Sequence, residues 1–264
     1  MVRVGRLNIG DFLYFATIHG QIASPAEQPG FEQWVREFLR PVAANLGADP
    51  VPGEPDERRA LRSQVLVVQA IDGKDPDAIA KLRAVTDVYM QNPASVDANL
   101  APNALAVAAR NGDASLYDKY MAHLKTAKTP EEYYTFFRAL NDFPDPALAK
   151  RTLEFMLTPA VRNQDLNFGG LIANDKTQTV AWEWFKVHFA EIKQKEGASI
   201  GGASFVGIAS QFCNAELRDD SQQFFASQNI QGAERPLRNA KDRVNACIDL
   251  RSIQRPNLAA FLEK

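Results

Sequence analysis

The apolar residues of this chain recur with the period of an α-helix along almost all of its length. They stand three and four residues apart, which places them on one face of a helix. The first such stripe comprises Phe31, Trp34, Val35, Phe38, Leu39 and Val42. Similar stripes follow within residues 133–140, 148–156 and 237–248. No run alternates between apolar and polar residues as a half-buried strand does, so the pattern favours helices throughout.

Three of the breaks between these stripes carry the start signal of a helix. Asp75-Pro76 and Asp145-Pro146 each place an aspartate at the N-cap and a proline at the first helical position. Asp113 is a cap of the same kind without a proline. The three aspartates stand 38 and then 32 residues apart, and stacked helix pairs repeat at about 32–47 residues. The spacing therefore indicates a helical-repeat architecture.

A fourth break is a capping box at Thr129-Pro130-Glu131-Glu132. In this motif the Thr129 hydroxyl accepts from the amide of Glu132, and the Glu132 carboxylate reaches back to the amide of Thr129. We expect the pair to start a helix at Pro130.

Only the segment Val65-Leu66-Val67-Val68 resembles a buried strand, because it is apolar and rich in β-branched residues. Charged residues lead directly into it, however, and Leu61, Val65 and Val68 keep helical spacing. We therefore predict a buried helix from about Asp56 to Ile71.

Together these signals predict an all-α fold. We expect a right-handed α-solenoid of antiparallel helix pairs, similar to HEAT and armadillo repeats, whose stacking produces a concave bowl. The proline-rich segment 46–55 separates the first helix pair from the rest. A lone helix pair cannot bury its apolar face, so we predict one helical-repeat domain over residues 1–264.

The charge balance gives no sign of a nucleic-acid or membrane partner. There are 30 Lys and Arg against 32 Asp and Glu, a net charge of −2, which is no footprint for a polyanion or an anionic membrane. No window is long and apolar enough for a membrane span. Residues 1–6 have no apolar run of the kind found in a secretory signal. The compartment stays open, because the start of a fragment would carry no targeting information, with a cytoplasmic protein favoured over a secreted one.

The two cysteines, Cys213 and Cys247, are too few for a disulfide framework in a domain of this size. No second Cys or His stands near either one at the spacing of a metal site. We expect two buried free thiols that pack as small hydrophobic side chains.

The chain lacks the residue patterns of common catalytic sites. His19, His123 and His188 are far apart and no H-E-x-x-H motif is present, whereas a catalytic zinc takes three protein ligands. We expect His188 in the core or at its rim, and the other two histidines facing solvent. There is also no G-x-S-x-G elbow for a nucleophilic serine.

One polar segment, Arg162-Asn163-Gln164-Asp165, interrupts the helical periodicity. It lies on a connection, where binding groups tend to occur. In a structural interpretation, Asp165 caps the next helix and Arg162 pairs with the C-terminus of a neighbouring one. In a functional interpretation, Arg162, Gln164 and Asp165 face a cavity and Arg162 meets the carboxylate of a peptide.

An ordered set of short motifs covers the C-terminal half. These motifs are Val161-Arg162-Asn163-Gln164-Asp165, Ala181-Trp182-Glu183-Trp184-Phe185, Phe212-Cys213-Asn214-Ala215-Glu216-Leu217, Phe224-Phe225-Ala226, Glu234-Arg235-Pro236-Leu237 and Ala240-Lys241-Asp242-Arg243-Val244-Asn245. In order and spacing they resemble the C-terminal helical domain of the gluzincin zinc aminopeptidases, of the puromycin-sensitive and endoplasmic-reticulum types. The resemblance runs over most of the chain and is weak over the first 55 residues. The family's Leu-Arg-x-x-Val-Tyr element reads Leu100 to Leu105 here, without the Arg or the Tyr.

The resemblance implies a non-catalytic C-terminal domain of a metalloprotease, which closes the substrate chamber over the active site and helps to bind peptides. The zinc would lie in the missing catalytic domain, with no cofactor in this chain. The implied partners are that catalytic domain, in the same polypeptide, and peptide substrates. The alternatives are a stand-alone HEAT-like protein-interaction module and a small helical hydrolase, which the absent catalytic motifs disfavour.

Overall fold

The computed structural model describes residues 12–47, 49, 51–196 and 203–263. All regular secondary structure in these residues is helical, and no strand occurs among them, so the all-α prediction is confirmed. The solenoid and bowl geometry, and the single domain over residues 1–264, stay predictions. The α-helices are α1 (Phe12–Thr17), α2 (Gln28–Leu46), α3 (Asp56–Ile71), α4 (Pro76–Gln91), α5 (Ala101–Arg110), α6 (Ala114–Thr126), α7 (Pro130–Ala139), α8 (Pro146–Leu157), α9 (Gly169–Ala173), α10 (Gln178–Val187), α11 (Phe189–Glu196), α12 (Ala203–Val206), α13 (Ala215–Ser227) and α14 (Glu234–Leu262).

The ambiguous valine-rich segment is helical. It belongs to α3, whose bounds are Asp56 and Ile71, as the sequence predicts. Val65, Val67 and Val68 are all buried. Helical spacing of the flanking residues therefore outweighs the β-propensity of the valines, because tertiary burial decides the conformation of such apolar runs.

The helix starts follow the sequence closely. Asp75 accepts two amides in the first turn of α4, and Asp145 accepts two in the first turn of α8. Asp113 accepts the amide of Leu116 at 3.0 Å. These carboxylates satisfy amides that have no partner within their helices.

Of the two hydrogen bonds predicted for the capping box, one is present and the other has a different donor. Thr129 Oγ1 accepts from the Glu132 amide at 3.1 Å, but Glu132 Oε2 accepts from the amide of Lys128 at 2.9 Å rather than from Thr129. The carboxylate thus reaches one residue further back, to another amide that lies outside the helix.

The chain divides into two compact units. Unit 1 comprises residues 1–108, 127–136 and 251–264, and unit 2 comprises residues 109–126 and 137–250. In unit 1, α3 contributes to two apolar clusters. The first apolar cluster contains Phe12, Phe15, Ile22, Ala23, Phe31, Val35, Leu39, Val42, Leu46, Val65, Val68 and Leu258. The second apolar cluster contains Val67, Ala70, Ala78, Leu82, Ala104 and Val107.

Unit 2 is built around aromatic rings. The aromatic core consists of Trp182, Phe185, Phe189, Phe212, Phe224 and Phe225. Trp182 is fully buried, and its ring lies 5.4 Å from Phe212 and 5.4 Å from Phe224, centroid to centroid. Edge-to-face pairs of this kind add to the burial of the rings.

The prediction of two free, buried thiols is wrong. Cys213, just before α13, and Cys247, within α14, form a disulfide with Cα atoms 5.4 Å apart, and both residues are half-buried. The sequence separation of 34 residues holds no local signal for the pairing. The packing of the two segments within unit 2 brings the Cα atoms to ordinary disulfide distance.

Candidate functional site

The segment proposed from the sequence as a peptide-binding site lies on the connection between α8 and α9. Residues Asn163–Asp165 form a single 3-10 turn. Arg162 Nε donates to Asp165 Oδ2 at 2.8 Å, and the Arg162 side chain is 62% exposed against 11% for Asp165. Gln164 is exposed. The structure therefore brings Arg162 and Asp165 together as an ion pair, with Arg162 and Gln164 facing outward.

Other residues also make hydrogen bonds at the two helix ends that flank this segment. At the start of α9, Asn167 Oδ1, not Asp165, accepts the amide of Gly169 at 3.2 Å. At the end of α8, Lys195 Nζ donates to the carbonyls of Thr158 and Val161, both at 2.7 Å. A cation beside carbonyls at a helix C-terminus is favourable. The peptide-binding role of Arg162, Gln164 and Asp165 stays a prediction.

The histidines are far apart in the sequence, and the surroundings of His188 and His19 test the positions predicted for them. The His188 ring stacks on Trp184 at 4.3 Å between centroids and lies 3.4 Å from a carboxylate oxygen of Glu191, which is the rim position expected. The prediction that His19 faces solvent is wrong, because its side chain is 15% exposed and lies 3.0 Å from Glu32. In the residues that the structure describes, no group of three or more His, Cys, Asp or Glu is arranged to hold a metal ion.

Unit 1 contains a cavity that the sequence did not reveal. Its volume is about 520 Å³, and it lies where the end of α2, one face of α3, residues 77–85 of α4 and the segment before α5 meet. Its apolar lining is Ala43, Leu46, Val65, Leu66, Ala78, Val85 and Leu100. Leu66, Val85 and Leu100 are only partly buried and pack against the second apolar cluster.

Arg62 fixes the wall of this cavity next to the end of α2. Its guanidinium forms a two-pronged ion pair with Glu54 and donates to the carbonyls of Leu46, at 2.8 Å, and Gly47, at 3.2 Å. The hydrogen bonds from Arg62 hold the pKa of the Glu54 carboxyl below its usual value, and the same pair raises the pKa of Arg62. The buried arginine therefore anchors the segment between α2 and α3.

The departure from the family's Leu-Arg-x-x-Val-Tyr element falls beside the same cavity. Leu100 lines the cavity, while Ala101 and Leu105, which stand in place of the Arg and the Tyr, are buried. The wall here is thus apolar, without a cation from this element.

A family model described as ERAP1-like C-terminal domain matches residues 12–246. Among curated proteins, the chain is 26% identical over 210 residues to Aminopeptidase M1 of Arabidopsis thaliana, covering 77% of this chain and 24% of that protein. It is 26% identical over 171 residues to "Aminopeptidase 2, mitochondrial" of Saccharomyces cerevisiae, covering 63% and 18%. It is 25% identical over 197 residues to Aminopeptidase N of Lactobacillus delbrueckii, covering 73% and 23%. The chain thus spans about a quarter or less of these relatives.

No helix within the described residues combines the length and apolar character needed to cross a membrane.

Proposed function

The chain belongs to the family of ERAP1-like C-terminal domains, and from this premise we propose that it is the non-catalytic C-terminal domain of a zinc aminopeptidase. In this role it closes the substrate chamber over the active site and helps to bind the peptide. Its antiparallel helix pairs would supply the concave wall, as stacked helical repeats do.

The observation that carries the proposal is the family match over residues 12–246, supported by relatives that are named aminopeptidases. The zinc would be held by the catalytic domain of the same polypeptide, which this chain would contact. There the metal would activate water for attack on the first peptide bond. The part of this domain would be to enclose and orient the peptide, which is how binding groups remote from the chemistry accelerate a reaction.

The first test compares the 264-residue chain with the whole polypeptide that contains it, using a panel of aminoacyl-coumarin substrates. The whole polypeptide should hydrolyse them and lose activity with a chelator, while the chain alone should not. Chelator-sensitive hydrolysis by the chain alone, after controls for contaminants, would overturn the proposal. A whole polypeptide without H-E-x-x-H or turnover would favour the stand-alone interaction module.

Within this proposal, Arg162 binds the free carboxylate of the peptide, with Gln164 and Asp165 beside it. A guanidinium suits this task because it forms paired, charge-assisted hydrogen bonds with a carboxylate. The exposure of Arg162 supports the role, since its side chain is accessible to a ligand. Asp165 would weaken the binding of the peptide, because its carboxylate competes with that of the peptide for Arg162.

Substitution of Arg162 tests this role in the whole enzyme. Arg162→Ala should lower kcat/KM for free-acid peptides about ten-fold or more, because hydrogen bonds to charged groups contribute about 1.5–3 kcal/mol. C-terminal amides and single-residue substrates should be nearly unaffected. Asp165→Asn should act in the opposite direction and improve the processing of free acids.

The matched control is Arg151→Ala. Arg151 is also on the surface of unit 2, 47% exposed and paired with Asp118 at 2.7 Å, so its loss removes a similar ion pair elsewhere. Equal losses on acids, amides and short substrates would show that Arg162 is structural.

A further inference from the structure

The cavity in unit 1 opens where the second apolar cluster reaches the surface. Leu66, Val85 and Leu100 are partly buried members at the edge of that cluster, and all three line the cavity. The volume of about 520 Å³ lies in the range of ligand pockets, about 300–1,000 Å³. The cavity can therefore take a large apolar group.

The side chains that line the cavity carry more negative than positive charge. Each lining cation has a carboxylate of its own, in the pairs Arg59–Asp56, Arg62–Glu54 and Lys81–Asp49. Three further carboxylates line the cavity, those of Asp75, Asp77 and Asp97. None of the three forms an ion pair with a residue in the described ranges. The rim formed by α4 and the segment before α5 is thus acidic.

Two of these carboxylates are held in place by helix starts. Asp75 Oδ1 accepts two amides of the first turn of α4, at 2.9 and 3.0 Å. Asp97 Oδ1 accepts two amides of the turn that leads into α5, at 2.8 and 3.3 Å. In both residues the amides bind Oδ1, which leaves Oδ2 to accept from a ligand. Carboxylates fixed in this way bind a cation without a further loss of side-chain freedom.

The lining also offers uncharged polar groups on α3. Ser63 and Gln69 are half-buried and line the cavity. Neither side chain makes a hydrogen bond within the described part of the chain. A hydroxyl and a carboxamide can each donate and accept, which suits the peptide groups of a bound backbone.

We propose that this cavity is a binding site for a peptide segment in which a large apolar side chain is flanked by lysine or arginine. The apolar side chain enters between α3 and α4, and the basic side chains meet Asp75, Asp77 and Asp97. The site lies wholly within unit 1 and does not involve Arg162. It does not rest on the proposed role in an aminopeptidase.

Three labelled peptides test the ligand chemistry on the 264-residue chain by fluorescence anisotropy at low salt. Their sequences are Gly-Arg-Phe-Arg-Gly, Gly-Arg-Ser-Arg-Gly and Gly-Glu-Phe-Glu-Gly, each amidated. The first should bind at least about ten-fold more tightly than the other two, because only it supplies both the apolar group and the cations. The absence of saturable binding up to about 1 mM, or equal binding of all three, overturns the proposal.

Two variants test the location. Asp75→Asn, Asp77→Asn and Asp97→Asn together remove three charges and keep side chains that still cap helices. This triple variant should weaken the binding of Gly-Arg-Phe-Arg-Gly about ten-fold, since each exposed pair contributes up to about a factor of five. Ser63→Phe should abolish binding by filling the cavity, with the thermal midpoint and the circular dichroism spectrum reporting that the variant folds.

The control is Asp113→Asn with Asp145→Asn, the same change at two helix caps of unit 2. Its affinity for the peptide should equal that of the wild type. If the control weakens binding as much as the triple variant, the peptide recognises overall charge and the cavity is not its site. If neither the triple variant nor a folded Ser63→Phe weakens binding, the proposal is also wrong.

Discussion

The segment between α2 and α3 in unit 1 and the segment that enters α13 in unit 2 are held by different chemistry. In unit 1, the Arg62 guanidinium donates hydrogen bonds to the Glu54 carboxylate and to two backbone carbonyls at the end of α2. In unit 2, the Cys213–Cys247 disulfide joins the start of α13 to α14. The first contact depends on protonation and the second on redox state, so one chain should respond locally to two different perturbants.

Each unit also contains an ion pair whose carboxyl has a shifted pKa, and the two shifts are in opposite directions. In unit 1, two-pronged hydrogen bonding from Arg62 lowers the pKa of Glu54. In unit 2, burial raises the pKa of Asp142, although Arg110 Nε donates to it at 2.9 Å and opposes the shift. Burial and hydrogen bonding act in opposite directions on a carboxylate. The balance between burial and hydrogen bonding, rather than the presence of an arginine, therefore decides the direction of the shift.

The largest expected effect on stability is in the aromatic core of unit 2. Trp182→Ala should lower the free energy of unfolding by about 3–5 kcal/mol, because it removes a fully buried indole and leaves a cavity. Urea unfolding measures the loss, with the exposed Val187→Ala as the control. The aliphatic Leu82→Ala in unit 1 should cost no more, and a larger loss there would reverse the contrast between the two cores.

The disulfide should come next. Its 34-residue separation predicts that Cys213→Ser lowers the free energy of unfolding by about 2–4 kcal/mol. Reduction should produce the same loss in the wild type and none in the variant. Thiol titration of the denatured chain without reductant should find no free cysteine. Two titratable thiols would contradict the pairing.

Loss of the Arg62 anchor should have a smaller effect, confined to unit 1. Arg62→Met removes the two-pronged partner of Glu54 and leaves it only the longer contact with Arg58, at 3.6 Å. We expect earlier proteolysis between α2 and α3 together with a lower thermal midpoint. Arg59→Met, which breaks an exposed pair with Asp56, should change neither measurably. Because the pKa of Glu54 is lowered, the stabilisation by this pair is present at neutral pH and is lost in acid. Equal behaviour of the two variants would remove the anchoring role.

The smallest effect should be the pH dependence associated with Asp142. Its raised pKa means that this group favours the folded state in acid and that the contribution is lost as pH rises through the folded-state pKa. Asp142→Asn keeps an acceptor for Arg110 and removes the titration. The stability of the wild type relative to the variant should therefore decline from acid to neutral pH. Parallel pH profiles of urea unfolding would show that burial does not perturb this carboxyl.

The sequence by itself determined the all-helical class and the starts of α3, α4, α6, α7 and α8. Apolar spacing predicted α3 with its observed bounds, and the caps at Asp75, Asp113 and Asp145 are all present. These signals were readable because a helical face and an N-cap depend on residues within three or four positions of one another. For the same reason the capping box was right in its hydroxyl half, where the geometry of the first turn fixes the contact.

The candidate site and the covalent link were decided by tertiary structure. Lys195 binds carbonyls at the end of α8 from 34 and 37 residues away, and Cys213 meets Cys247 across 34 residues. From the sequence, the carboxylates at the cavity rim could be recognised only as helix caps and surface charges. No short sequence pattern indicates that α3 and α4 leave a space between them. Contacts between distant residues depend on how helices pack. That packing is set by the summed shape of many side chains, which no short stretch of sequence contains.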